Sequence, residues 1–355
     1  MEITIRQLQQ NEAEEAEEAE EAVKVARKAF GIIGYATIRK PKYGLVAIAY
    51  DKIVGGVFYF TKNSGAKKIG VVSFLFTDPN FQGHGIAGKL LDECIATLWA
   101  EDCDGLISYV QDDNVGSWAA FEKRGFVKTT LQKSMKALGA STAIKSQVLF
   151  TETFVFCVGA DFYMALPDKE ATKKYERRDI GIVQIGLSLL INLLMLSLII
   201  IRASAPLMAI ISIVLVLAGI ITVGWIGTWF TGYKWRFRLT QGGFLITPVL
   251  TLLNTIFPLI GNWYPVKYEN TPKFRRTMAF NSILVWLFLL GIMISNMFVN
   301  SLILEGMQNI SAFFLLYRCI PIHPFSSYGS ERVYNWNKAV FGIFAIASIL
   351  FVFVF

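Results

Sequence analysis

From Ile180 the chain runs for 22 residues, IGIVQIGLSLLINLLMLSLIII, without one charged side chain. At about 1.5 Å per residue a helix of that length crosses a hydrocarbon core roughly 30 Å thick, a medium in which every backbone N–H and C=O must be satisfied inside the structure. Further apolar runs follow at 206–230, 278–299, 302–322 and 339–355. The spacing predicts an α-helical multi-pass membrane domain over 180–355, spanning at 180–201 and at these four runs. A shorter apolar segment, 243–260, contains Pro248 and Pro258 and is followed by Gly261-Asn262.

Charge divides the chain at the same place. Residues 1–179 carry 23 Lys and Arg against 24 Asp and Glu, whereas 180–355 carry 11 against 3. The basic excess lies between apolar runs, where bilayer topology explains it better than contact with phosphate backbones, so no nucleic acid is expected as a partner. The clusters are Lys173, Lys174, Arg177 and Arg178, then Lys234, Arg236 and Arg238, then Lys267, Lys273, Arg275 and Arg276, then Arg332 with Lys338. If 243–260 enters the bilayer and returns to the same face, all of them lie on the cytosolic side, while a full crossing exposes the third outside. The expectation is five spans plus a re-entrant segment, with membrane lipids as partners. The N-terminal half is expected to stay cytosolic, because its first charged cluster is acidic and no apolar signal region follows it. Cys94, Cys103, Cys157 and Cys319 show no CxxC or metal-ligand spacing and read as reduced structural thiols.

Three stretches of the second half carry a resemblance. They are Gly232-Tyr233-Lys234-Trp235-Arg236-Phe237-Arg238-Leu239, the apolar hairpin to "YPV" at 264–266, and "CIPIHPFSSYG" at 319–329. Together they resemble the archaeal type of intramembrane site-two zinc metalloprotease, in which HExxH precedes a Gly-x-x-x-x-Phe-Arg stretch and a late PxPPxDG motif supplies the third ligand. On that pattern HExxH falls on Ile220-Ile221-Thr222-Val223-Gly224, and Ser326 stands where the family has its metal-binding Asp. The chain has two histidines, His84 and His323, so no HExxH exists in it. What the resemblance implies is a proteolytically inactive scaffold with no metal. His323 reads as an interfacial histidine between two prolines.

In the first half, a strand-like start (Ile3 to Leu8) precedes a helix over 12–30, where glutamates at 12, 14, 15, 17, 18, 20 and 21 alternate with alanines in a low-complexity pattern typical of a solvated face. β-rich runs at 45–50, 53–61 and 68–77 predict an antiparallel meander. The last one stops at Asp78-Pro79 and is followed by Gln82-Gly83-His84-Gly85-Ile86-Ala87, after which Leu90, Leu91, Cys94, Ile95 and Leu98 recur at helical spacing. Strand, glycine-rich turn and helix start form the geometry in which free backbone N–H groups converge on an anion, and glycine lets a phosphate approach without a Cβ in the way. No GK[ST] follows and no parallel βαβ pattern precedes, so neither a P-loop nor a dinucleotide fold is indicated. A strand at 105–111 then leads into Asn114-Val115-Gly116-Ser117-Trp118-Ala119-Ala120-Phe121-Glu122-Lys123-Arg124-Gly125-Phe126.

The first of these motifs fits Q/R-x-x-G-x-G/A and the second is similar to "NxxAxxxYEKxGF", both of the GNAT acyl-CoA transferases, and the resemblance covers about residues 2–166. It implies an α+β GNAT fold with a mixed, mostly antiparallel sheet over 1–166, joined by a basic linker at 167–179 to the membrane domain. It implies acetyl-CoA as acyl donor, with backbone groups of Leu75 and Thr77 on the pantetheine arm, residues Gln82, Gly83, His84, Gly85, Ile86 and Ala87 at the pyrophosphate, and Asn114 on the same arm. An amine of unknown class (protein, peptide, small molecule or aminolipid) then attacks the thioester while an acid protonates the departing thiolate. The chain departs from the family at Phe121, which replaces the usual tyrosine acid. Tyr109 is the candidate stand-in, against its reading as an ordinary strand aromatic. Asp78 is the candidate base, or equally a turn former before Pro79. His84 reads as bordering the ligand. The last strands are expected at 126–131 and 153–166, and the excess between them at 132–150 is either a substrate-side excursion or a helix leaning on the bilayer. Two functions fit: a membrane-tethered N-acetyltransferase, or a non-enzymatic acyl-CoA sensor that biases a membrane partner.

Overall fold

A computed structural model describes residues 2–8, 13–38, 41, 43–111, 114–150, 160–177, 180–239, 251–253, 257–258, 261–266, 269, 271–321 and 325–354. The described residues up to Arg177 form one compact unit and those from Ile180 onward belong to a second.

The first unit is built on a seven-stranded sheet of order β1-β2-β3-β4-β5-β7-β6. Its strands are β1 Thr4–Gln7, β2 Tyr43–Ala49, β3 Lys52–Ser64, β4 Lys67–Thr77, β5 Gly105–Gln111, β6 Val127–Lys128 and β7 Ala160–Ala165. Every neighbouring pair is antiparallel except β4 with β5. The turn at Gly65, with φ +64°, lets β3 and β4 continue past the ends expected from sequence.

Helix α1 (Ala13–Thr37) turns Ala19, Ala22, Val23 and Ala26 into a core with Val46, Phe58 and Phe76, and leaves Glu17, Glu20 and Glu21 exposed. The alanine spacing thus marks the packed face and the glutamates the wet one. Helix α2 (Ile86–Ala100) buries Ile86, Leu90, Leu91, Cys94 and Leu98. It approaches the sheet over glycines: a Cβ at Gly70 would stand 2.6 Å from Leu106 Cδ2 and 3.1 Å from Leu98 Cδ2. Helix α3 (Val115–Glu122) follows β5.

Residues 132–150 are mostly two short helices, α4 (Leu131–Leu138) and α5 (Ala140–Val148), turning at Gly139 with φ +86°. Leu138 and Phe150 pack there with Ile69, Val71, Ile107, Phe162 and Met164, so this hairpin is a layer of the core. The strand expected at 126–131 is only two residues long, because Thr130 caps α4 by accepting from the Lys133 N–H. Of the strand expected at 153–166, residues 153–159 lie outside the described set. The linker expected at 167–179 is folded in large part. Asp168 caps α6 (Lys169–Lys173), Thr172 is fully buried, and the Arg177 N–H donates to the Lys128 carbonyl (2.7 Å). One threonine and Tyr175, which joins the core, tie down a stretch whose composition reads only as basic.

The second unit comprises α7 (Gly181–Met195), α8 (Ser197–Arg202), α9 (Pro206–Trp229), β8 (Trp235–Leu239), β9 (Gly261–Pro265), α10 (Pro272–Asn296), α11 (Leu302–Arg318), α12 (Ser330–Trp336) and α13 (Lys338–Phe353). Against the five spans expected, two helices among the described residues, α9 and α10, are long and apolar enough to cross a membrane, and α7 and α13 are shorter apolar helices. The run from Ile180 breaks at Leu196 into two helices. The third run starts earlier than its apolar residues do, since Thr271 caps the helix by accepting from Phe274 N–H and Pro272 fits its first turn. The fourth ends at Arg318, whose guanidinium is buried and donates to the Ser282 carbonyl (3.1 Å). α9 and α10 meet at small residues, with Asn281 Nδ2 donating to the Gly224 carbonyl at 2.5 Å. Most of 243–260 lies outside the described residues, and so does His323. The ends of that segment are fixed all the same, because β8 and β9 pair antiparallel with Leu239 opposite Gly261.

Candidate functional site

β4 and β5 run parallel only from Ile69 opposite Gly105 to Val72 opposite Ser108, and beyond that pair they have no shared register. A bulge in β4 adds to the divergence, since Phe58 pairs with Phe74 and Tyr59 with Val72, leaving Ser73 as the extra residue. At Leu75 and Thr77 the backbone groups that point away from β3 meet no paired strand among the described residues. Unpaired N–H and C=O groups inside a sheet are costly, and a ligand's amide groups or water restore the balance. Leu75 and Thr77 both lie on this edge, and Thr77 Oγ1 is buried without a partner among the described residues.

Where β4 ends, the chain turns through a short 3-10 segment, Pro79–Phe81. Asp78 shapes it: its carboxylate accepts from the Asn80 N–H (2.9 Å) and from Lys28 Nζ (2.8 Å). Partial burial alone would raise the Asp78 pKa, but those two contacts outweigh it and the carboxyl is held below its usual range. Gln82, Gly83, His84 and Gly85 are exposed. Gly83 and Gly85 have φ of +85° and +76°, and a Cβ at either would meet nothing within 4 Å, so both face open space. The His84 Nδ1 lies 3.1 Å from the carbonyl oxygens of Phe81 and of Gln82, which makes it the donor and braces the loop.

Gly85 is the N-cap of α2, and no side chain caps that helix. The N–H groups of Ile86, Ala87 and Gly88 therefore have neither an intrahelical nor a capping acceptor, and the helix dipole adds positive potential at the same spot. A loop with two left-handed glycines, open space and uncapped amides is shaped for an anion with several oxygens.

Asn114 opens α3. Its side-chain oxygen accepts from the Ser117 N–H (3.1 Å), and its amide nitrogen has no partner among the described residues. Phe121 is buried between Phe126 (ring centroids 5.0 Å) and Tyr163 (6.4 Å). Tyr109 is the first β5 residue beyond the last pair with β4. Its ring packs on Phe162 (5.4 Å), its hydroxyl donates to the Ser146 carbonyl of α5, and burial pushes its pKa above the ordinary tyrosine range.

Two residues enter the site's architecture without having been singled out from sequence. Arg124 donates from Nη2 to the Gly88 carbonyl (2.8 Å), from Nη1 to the Ala120 carbonyl (2.9 Å), and from Nε to Asp92 Oδ1 (2.7 Å), locking the first turn of α2 to the end of α3. The signal was present, because Arg124 lies inside the quoted "EKRGF" stretch. Lys28, paired with Asp78, gave no local signal.

Residues 4–126 match the profile of the acetyltransferase (GNAT) family. No curated protein matches the chain. Among solved structures, the NatC complex bound to Gag peptide and CoA is similar at 16% identity, over 47% of this chain and 100% of that chain, with a TM-score of 0.32. The ribosomal-protein-S18-alanine N-acetyltransferase from Escherichia coli is similar at 13% identity, over 51% of this chain and 98% of that one, with a TM-score of 0.31. N-acetylglutamate synthase from Neisseria gonorrhoeae, complexed with coenzyme A and N-acetyl-glutamate, is similar at 14% identity over 47% of this chain and 36% of its own, with a TM-score of 0.32. The first unit thus carries a GNAT acetyltransferase domain over residues 4–126, with an α+β fold around a mixed sheet.

Proposed function

We propose that the chain is a membrane-tethered N-acetyltransferase that takes its acyl group from acetyl-CoA and passes it to an amine at the cytosolic membrane face. The observation that carries this reading is the opening between β4 and β5, which ends at the uncapped, glycine-lined start of α2. A pyrophosphate fits the amides of 82–87, and a pantetheine arm fits the unpaired edge at Leu75 and Thr77, with the free amide of Asn114 opposite. These residues bind and orient the thioester, so that proximity supplies much of the rate.

Tyr109 is the proposed proton donor for the departing sulfur. It stands where the strands part, and its hydroxyl, held to the Ser146 carbonyl, has to turn from that acceptor to the sulfur to give up its proton. Asp78 fits better as the residue that shapes the loop than as a base, since its oxygens are already committed to Asn80 and Lys28. An amine that arrives unprotonated, or that loses its proton to water, then attacks the carbonyl carbon. The new C–N bond forms as the C–S bond breaks. Replacing Arg124 by alanine is expected to loosen the first turn of α2 and weaken coenzyme A binding about tenfold with the fold retained, as read by calorimetric titration beside circular dichroism.

Membrane tethering is supported by how the second unit distributes polarity. On α7, Gln184, Ser188 and Asn192 are buried, while Ile182, Val183, Leu187, Leu190 and Leu194 are exposed. The pattern continues on α13, where Ser348 is the buried residue and Ile343, Ile346, Ile349 and Phe353 are exposed. Helices that hide polar groups and show aliphatic ones are suited to lipid and ill suited to water. The re-entrant path of 243–260 is supported by the pairing of Leu239 with Gly261, because a single crossing would separate these ends by roughly 30 Å. Accordingly a cysteine replacing Lys273 is expected to resist an impermeant thiol reagent applied outside intact cells and to react once the membrane is opened; labelling from outside would overturn the topology. The resemblance of the region around 205–340 to site-two proteases enters as a scaffold without zinc ligands, given two histidines in the chain.

The second reading, a non-enzymatic acyl-CoA sensor, is favoured by one observation: Phe121, where the family's tyrosine acid stands, is buried among aromatic rings. Turnover of acetyl-CoA by the purified full chain against a panel of amines, peptides and aminolipids decides between the two. Acceptor-dependent release of coenzyme A is expected; tight binding with no turnover would leave the sensor.

A further inference from the structure

We propose that the open end of the α4–α5 hairpin is a docking surface for anionic lipid headgroups, with Leu131 and Leu149 entering the interface. The inference rests on the membrane reading above. Hydrogen bonds assemble the surface. Gln147 Nε2 donates to Ser134 Oγ (3.3 Å), which sets the end of α5 beside the start of α4. The Lys133 ammonium, in the first turn of α4, donates to the Glu176 carbonyl, and the Thr129 hydroxyl donates to the Tyr175 carbonyl (2.7 Å). The last residues before the apolar run at Ile180 are thereby fastened to this same end of the hairpin.

Leu131 and Leu149 are 42% and 67% exposed; among the described residues of the unit, the other exposed large apolar side chains are Tyr43, Tyr50 and Ile144. Ile144 belongs to the same hairpin. The hairpin and the segment fastened to it carry lysines: Lys136 in the last turn of α4 and Lys174 are exposed and make no ion pair among the described residues, and Lys145 is half-buried on α5. Of the nearby acids, Glu170 is taken by Lys173 (2.6 Å) and Asp161 by Lys128 (2.5 Å), while Glu176 is exposed. Protruding aliphatic side chains on a lysine-bearing hairpin match the two contributions that hold a protein on an anionic leaflet, apolar insertion and attraction to headgroups. The hydrogen bond from Tyr109 to the Ser146 carbonyl links this hairpin to the place where β4 and β5 part, so docking would hold that side of the opening against the bilayer.

The test uses the full chain in lipid nanodiscs, with a nitroxide at L149C and, as a water-exposed reference, at Y50C. Cys94 and Cys103 are buried, and Cys157 and Cys319 are replaced by serine in both labelled proteins. In discs rich in phosphatidylserine, the label at 149 is expected to be relaxed by oxygen and shielded from a water-soluble nickel chelate at least about threefold more than the label at 50. In pure phosphatidylcholine, or after the charge reversals K136E and K174E, that shielding should fall toward the reference. Equal nickel access at both labels in every lipid would overturn the proposal. So would shielding from both reagents that ignores lipid charge, because protein rather than lipid would then cover the patch. A chain that does not enter nanodiscs at all refutes the membrane reading itself, which distinguishes the two failures.

Discussion

Gly85→Val is expected to weaken coenzyme A binding by at least about a hundredfold in a calorimetric titration with the fold and membrane insertion retained, the largest effect expected of any single substitution here. Two physical terms separate binding from folding. The first is backbone strain: Gly85 has φ +76°, and a β-branched residue held there costs about 1–2 kcal/mol. In a domain of this size that lowers Tm by only a few degrees. The second falls on the ligand alone. A Cβ at 85 meets no protein atom within 4 Å, so the new side chain fills the space in which the pyrophosphate would sit. Gly85→Ala, with the smaller group, should lose less affinity. Undiminished binding in the valine variant would remove the phosphate cradle, and with it both functional readings.

Tyr109→Phe is expected to lower the turnover number about a hundredfold, with KM for acetyl-CoA nearly unchanged, if the phenol gives its proton to the departing sulfur. The pH profile discriminates this from a packing defect. An acid must be protonated to act, and the pKa of Tyr109 is raised by burial, so the wild-type rate should hold on the alkaline side until pH passes the ordinary tyrosine value of about 10. The same shift acts on stability. The neutral phenol's contribution is present below about pH 10 and is lost as pH climbs through the raised value, because the buried site disfavours the phenolate. The variant loses one hydrogen bond to the Ser146 carbonyl, about 1 kcal/mol, too little to explain a hundredfold fall through unfolding. An unchanged turnover number would make Tyr109 an ordinary strand aromatic.

What could be read from the sequence was set by how local the causes are. The strand-turn-helix around Gly83 and Gly85 was legible because its chemistry is contiguous: β4 stops at Thr77, α2 starts at Ile86, and the glycines between adopt the left-handed backbone that their residue type permits. The strand at 105–111 was found with its boundaries. The parting of β4 from β5 was not visible in residue patterns and came only as something implied by resemblance, since it depends on a bulge at Ser73 and on register with a strand more than thirty residues away. The α4–α5 hairpin lacked a clear signal for a similar reason. Its helices are short, and what fixes them is burial of Leu138 and Phe150 against distant strands. The basic stretch after Leu166 read as a linker because lysines dominate it, whereas Thr172 and Tyr175 decide its fate. In the second half, apolar length located the helices, but the break at Leu196 has no proline or glycine to announce it.

The clasp between β8 and β9 bears on how the chain between them tolerates a change in length. With Leu239 held opposite Gly261, the two ends of the intervening stretch are fixed side by side. The entropy of closing a chain between two such ends rises slowly with its contour, about 0.6 kcal/mol for each doubling. A change in its contour therefore weighs little on the pairing at the mouth, whereas Phe257, packed in the core of the second unit, ties the stretch itself to the helices around it.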